Sequence, residues 1–162
     1  MSRPDARRRL QTARILATAL AAGPVLMWVV AWFLVRAQGG GLAASAPLTT
    51  RAALSVWGVA AVLGFGGALL LRSRAERRVA GARRSGDAGR IAAACDRVQA
   101  FLIVAWALLE GPAVLAGALY VMLGDPQLIL AAFPVLAFGM LLTFPRPEWF
   151  PPADGRGSAS GP

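Results

Sequence analysis

The chain has 162 residues, enough for one domain, and its 57% hydrophobic and 15% charged content is too apolar for a water-soluble domain of this size. The net charge is +9, with no His, and all 17 basic residues are Arg. These Arg residues flank apolar blocks and are not interleaved with aromatics on a polar face, a pattern that excludes nucleic acid as the expected partner and points to a lipid bilayer.

Residues 1–14 form a basic arm with Arg3, Arg7, Arg8, Arg9 and Arg14, and Asp5 can cap a helix that starts within it. The apolar run Ile15–Val35 follows and is predicted to be the first transmembrane helix. It exceeds the roughly 7–15 residues of a cleavable signal's apolar core, and Arg36 closes it. The nearest small-residue cleavage pattern, Ala44-Ser45-Ala46, lies far beyond it. Gly23-Pro24 should bend this helix, because Pro24 removes a backbone donor. Gly39-Gly40-Gly41 and Pro47 break the chain into a loop, and Thr49 or Thr50 can cap the next helix.

The second span is Ala52–Leu71. Ala60, Gly64 and Ala68 recur every fourth residue, a small face that lets another helix come close. Residues 72–99 carry eight Arg, yet Ala75, Val79 and Ala82, and then Ile91, Cys95, Val98 and Leu102, recur at helical spacing. The second and third helices are therefore expected to run past the membrane and turn near residues 84–87, with Asp87 as an N-cap. Cys95 is the only cysteine, so an internal disulfide and a thiolate metal cluster are excluded, and no metal or cofactor is expected.

The third span, Ala100–Leu123, ends at Gly124, a residue suited to the left-handed C′ position. Asp125 and Pro126 then start a fourth apolar helix, Leu128–Phe144, in a tight antiparallel turn. This helix is near the lower length limit for a span. Arg146 to Phe150 reads as an interfacial anchor, and residues 151–162 as a disordered tail. The expected architecture is an all-α, four-span bundle over residues 1–150. Placing both termini in the cytoplasm puts fifteen Arg inside and two outside, in accord with the positive-inside rule for an inner-membrane protein. Trp32, Phe33, Trp57 and Tyr120 would then form an outer aromatic belt, with Trp149 and Phe150 an inner one.

Glu110 stands alone at membrane depth. A carboxylate at a helix centre costs roughly 2.5–3.5 kcal/mol on insertion scales, and no basic side chain lies within a span to pair with it. In hydrocarbon a carboxylic acid favours its neutral form, which can donate one hydrogen bond. Pro24, Pro112 and Pro134 each leave a carbonyl one turn earlier without its usual donor. Glu110 is expected to face the bundle interior beside Ala107, Ala113 and Gly117 and to bond such a carbonyl. A proton- or ion-carrying role and a contact to a partner protein or second copy are the alternatives. No His, Lys or second intramembrane acid stands near it, so no catalytic set can be assembled and an enzyme is not expected.

The segment Leu109-Glu110-Gly111-Pro112-Ala113, with Gly117, resembles the carboxylate helix of the rotary ATP synthase proteolipid (c subunit), and Gly64-Phe65-Gly66-Gly67 is similar to its Gly-rich partner helix. That resemblance covers about 20 residues and implies an ion-carrying carboxylate at Glu110. The long second loop and the helix after the carboxylate helix depart from the proteolipid pattern. The whole layout, with Glu110-Gly111-Pro112-Ala113 at its centre and Phe144-Pro145-Arg146-Pro147 near its end, resembles small uncharacterised bacterial four-helix membrane proteins. That second resemblance implies a fold and no activity.

Overall fold

The computed structural model describes residues 3–42 and 49–151, and the expected cleavage pattern at residues 44–46 and the tail from residue 152 onward lie outside them. Among the described residues the chain forms four α-helices: α1 (Arg3–Ala37), α2 (Thr50–Ser85), α3 (Ala88–Leu123) and α4 (Gln127–Thr143). A 3-10 turn at Pro147–Trp149 follows, and no strand is present among them. The first three helices are each long and apolar enough to cross a membrane, whereas α4 is a shorter apolar helix of 17 residues.

The helix ends follow local chemistry. Thr49 caps α2, its hydroxyl accepting from the Ala52 amide at 3.3 Å. Gly86 and Gly124 adopt left-handed φ values of 64° and 72° and end α2 and α3, conformations that cost a side chain with a Cβ. Asp87 then accepts from the Gly89 amide at 2.8 Å, so α2 and α3 are separated by two residues and form one long hairpin. Asp125 accepts from the Gln127 amide at 2.9 Å to start α4. At the N-terminus α1 begins at Arg3, which puts Asp5 in its first turn and not at the cap. The helix runs unbroken through Pro24 to Ala37.

Two cores stack along the bundle. The first lies in the apolar half and joins Trp28 and Ala31 of α1, Ala53 to Ala68 of α2, Ala105 to Tyr120 of α3, and Leu128 to Leu136 of α4. The second lies at the Arg-rich end, where α1, α2 and α3 continue together as a stem around Ala13, Ala17, Ala75, Val79, Ile91, Cys95 and Val98. Arg9 pairs with Asp96 across this stem. Burial pushes the Cys95 thiol above its ordinary range, opposed by the nearby Arg9 charge.

Trp149 and Phe150 are 4% and 3% exposed and close the stem core, which corrects the expectation that they anchor the chain at the membrane surface. Two guanidinium groups turn the chain inward. Arg72 donates to the Leu142 carbonyl at 2.8 Å, near the C-terminus of α4 where carbonyls lack helical donors, and Arg83 donates to the Glu148 carbonyl. The aromatic belt needs a second correction. Trp32 and Phe33 are exposed, but Trp57 and Tyr120 are buried at 8% and 4%. An indole at the edge of a span can lower its energy by donating its N–H to a backbone carbonyl inside, and Trp57 does so.

Around the membrane half the outer surface is apolar, with Leu26, Phe33, Val59, Val62, Leu63, Leu70, Leu130 and Leu141 all exposed. Such a surface suits lipid, where large apolar patches carry no penalty.

Candidate functional site

The centre of the bundle is built on α3 around Pro112. Pro112 has no amide hydrogen, so the Leu108 carbonyl loses its helical donor. That carbonyl faces Gly64 of α2, which approaches so closely that a Cβ there would overlap the Leu108 oxygen and lie 3.0 Å from Pro112 Cγ. Two carbonyls further along, those of Pro112 and Ala113, are also engaged. Trp57 of α2 donates from Nε1 to the Pro112 carbonyl at 3.0 Å, and Trp28 of α1 donates from Nε1 to the Ala113 carbonyl at 2.8 Å. A carbonyl oxygen has two lone pairs and accepts such a donor without giving up its helical bond. Two tryptophans from two helices thus clasp successive peptide groups of a third. Gly117 makes room for this clasp, since a Cβ on it would meet Trp28 Cδ1 at 3.0 Å. On the α4 side, Gly139 receives the Leu109 side chain.

The small residues singled out by spacing divide into two sets. Gly64, Ala68, Ala113 and Gly117 are buried at helix contacts. Ala107 is exposed on the outer face of α3, because α1 and α2 pack on either side of that face and neither covers it. Gly111 and Ala118 are exposed there too, and nothing lies within 4 Å of where a Gly111 Cβ would be. The result is an uncovered strip along α3 at Ala107, Gly111, Val114 and Ala118, three of its four residues small.

Glu110 lies at the border of this strip. Its side chain reaches toward α1, where Oε1 would stand 3.3 Å from a Cβ built on Gly23, next to the fully buried Pro24. From the sequence, Glu110 is expected to face the bundle interior; the residue is half-buried at the edge of the bundle. No ion pair or hydrogen bond to it is present among the described residues, and the Leu108 carbonyl freed by Pro112 meets Gly64 instead. A turn before it on α3, Trp106 is 1% exposed and its buried Nε1 has no acceptor. On α3 two polar side chains, Glu110 and Trp106, are thus left unmatched within the protomer.

Two features complete the survey of this half. An apolar groove of about 610 Å³ runs between α2 and α4, lined by Ala61, Val62, Phe65, Gly66, Pro134, Val135 and Phe138. Phe65 and Phe138 stack across it at 6.1 Å. Its lining residues carry no side-chain hydrogen-bonding group, so it can take hydrocarbon and nothing that must be hydrogen-bonded. No group of three or more His, Cys, Asp or Glu able to hold a metal occurs among the described residues.

The Trp28–Trp57 clasp was not legible from sequence. Its one signal is a pair of indoles within otherwise apolar helices, each needing an acceptor, opposite a helix with proline at its middle. Comparison with protein-family models, with curated proteins and with solved structures gives no match.

Proposed function

We propose that the protein is a non-enzymatic integral membrane protein that works by helix docking, as a homo-oligomer or an accessory subunit, through the face of α3 bordered by Glu110. The observation that carries this reading is the pairing of an unmatched carboxyl at membrane depth with an uncovered strip in which the small residues Ala107, Gly111 and Ala118 surround Val114. In lipid the carboxyl costs roughly 2.5–3.5 kcal/mol, a cost that a covering polar contact offsets. Small residues let a second helix come near enough to supply that contact from its backbone or side chains.

In this reading all four helices span the inner membrane, with both termini and the 86–87 turn on the cytoplasmic side, in keeping with the Arg distribution. At about 1.5 Å per residue α4 rises about 25 Å, so the bilayer thins slightly beside it. The orientation is tested by moving the single thiol from Cys95 to Leu42, which is exposed at the opposite end from the stem. An impermeant maleimide should label Leu42→Cys from outside, and labelling only from the cytoplasm would reverse the topology.

The docking face is tested by Gly111→Leu. Nothing in the protomer occupies that space, so thermal stability should hold while assembly is lost. The readout is crosslinking in native membranes and size in mild detergent against the 16.9 kDa protomer. A Gly111→Leu chain that assembles like the parent would reject this face. A second reading, proton or ion translocation by Glu110, draws on the same unmatched carboxyl. Glu110→Gln keeps size and hydrogen bonding and removes ionisation. Proton uptake by proteoliposomes that vanishes in Glu110→Gln while assembly persists would favour translocation.

A further inference from the structure

The stem carries a basic groove, between its apolar end and the 86–87 turn, that the docking reading does not use. It has a volume of about 330 Å³ and lies between α2 and α3, lined by Arg78, Gly81 and Ala82 on one helix and Arg90, Ala93, Ala94 and Arg97 on the other. The spacing explains the geometry. Positions 78, 81 and 82 share one face of α2, and 90, 93, 94 and 97 share one face of α3, since residues three, four and seven apart align on a helix. The floor is made of Gly and Ala, so the three guanidinium groups border an open trough and not a packed seam. A Cβ on Gly81 would meet nothing within 4 Å.

Those charges are largely uncompensated. Arg90 has a 3.6 Å contact with Asp87, on the turn side. Arg78 and Arg97 pair with no carboxylate among the described residues. The Arg78 guanidinium instead lies over the Phe101 ring, 5.1 Å from its centre, which holds it toward the apolar segment. Asp96, the nearest acid in sequence to Arg97, is held by Arg9 of α1.

The depth of the groove is also informative. Arg97 lies about 5 Å before the apolar run that starts at Ala100, and Arg78 about 10 Å beyond Leu71, by helical rise. The polar layer on each side of a bilayer is about 5–8 Å thick. The Arg97 end of the groove thus sits at the level of lipid headgroups, the Arg78 guanidinium is drawn toward that end by Phe101, and Arg90 lies about 15 Å from the apolar run.

We infer that this groove binds a phosphate group, held by Arg78, Arg90 and Arg97, with its Arg97 end at headgroup depth. Guanidinium groups suit phosphate because their planar forks donate paired hydrogen bonds to its oxygens. The phosphate can belong to an anionic phospholipid or to a free anion, and the two differ in whether an acyl chain is needed. The inference rests on the membrane placement of the helices and not on the role of Glu110.

The test uses the full-length protein in mild detergent, with a short-chain phosphatidylglycerol and inorganic phosphate as separate probes, read by native mass spectrometry and by protection from heat. Binding of either probe should weaken about thirtyfold in the Arg78→Gln/Arg97→Gln double variant. In Arg74→Gln/Arg77→Gln, which removes the same charge from α2 outside the groove, it should change no more than about twofold. Phosphatidylglycerol bound at least tenfold tighter than phosphate identifies a lipid headgroup, and equal binding identifies a free anion. Because Arg78 also covers Phe101, Arg97→Gln alone is measured beside the double variant and should retain the parent's melting temperature. Equal losses in the two double variants, or no saturable binding of either probe, would overturn the inference.

Discussion

Gly64→Ala is the sharpest probe of how the bundle is held. The added methyl would fall inside the van der Waals envelope of the Leu108 carbonyl oxygen and 3.0 Å from Pro112 Cγ. The oxygen and the ring belong to the backbone and to a proline, so neither can rotate away. α2 and α3 must separate, and overpacking of this kind costs about 1–3 kcal/mol. Separation also stretches the 3.0 Å bond from Trp57 to the Pro112 carbonyl, a bond worth about 1 kcal/mol. Replacing Gly by Ala within a helix returns up to about 1 kcal/mol. The net expectation is a destabilisation of about 1–3 kcal/mol, seen as a lower melting temperature in detergent with a red shift of tryptophan emission as Trp57 loses its site. Gly58→Ala and Gly66→Ala are the controls, because a Cβ at either meets nothing within 4 Å. They should match or exceed the parent's stability. A Gly64→Ala protein as stable as those controls would refute the claim that backbone contact at Gly64 sets the distance between α2 and α3.

Glu110→Leu should leave the protomer's melting temperature within about 0.5 kcal/mol equivalents of the parent, since no bond within the protomer is lost. A large fall would restore the carboxyl to a role inside the bundle. Trp28→Phe and Trp57→Phe should each cost about 1 kcal/mol from the lost indole bond, measured by chemical unfolding in detergent. Cys95 is fully buried, so maleimide should not modify it until the stem opens. The raised thiol pKa also fixes a pH trend. The folded thiol stays neutral while the unfolded one ionises, so stability is complete below the ordinary thiol range and falls as pH rises through it. In Cys95→Ala that alkaline decline should flatten.

Much of the fold is written locally. Thr49, Asp87, Gly124 and Asp125 act on amides or dihedrals within three residues of themselves, so their roles follow from residue type and order. The apolar stripes Ala75–Val79 and Ile91–Cys95–Val98 likewise carried α2 and α3 past the membrane. The misread residues are those whose partners are remote in sequence. Trp57 reads as a surface aromatic until Pro112, 55 positions later, supplies its acceptor. Trp149 and Phe150 read as a membrane anchor because the apolar socket that takes them is assembled from three other helices. Glu110 was legible as the unusual residue, but its position at the seam depends on where α1 lies, and nothing within α3 states that.

The plug formed by Trp149 and Phe150 has a consequence for how the protein is made. The stem helices are synthesised and able to associate once α3 is complete, yet their shared core lacks two aromatic side chains until synthesis has reached Phe150. During that interval Val79, Ile91 and Cys95 belong to an open apolar cleft, a surface of the kind that chaperones and proteases recognise. A ribosome that stalls before residue 149 would release a chain whose membrane half can be complete while its stem remains marked as unfinished. The stem core is thus closed last, by two side chains from the last described turn.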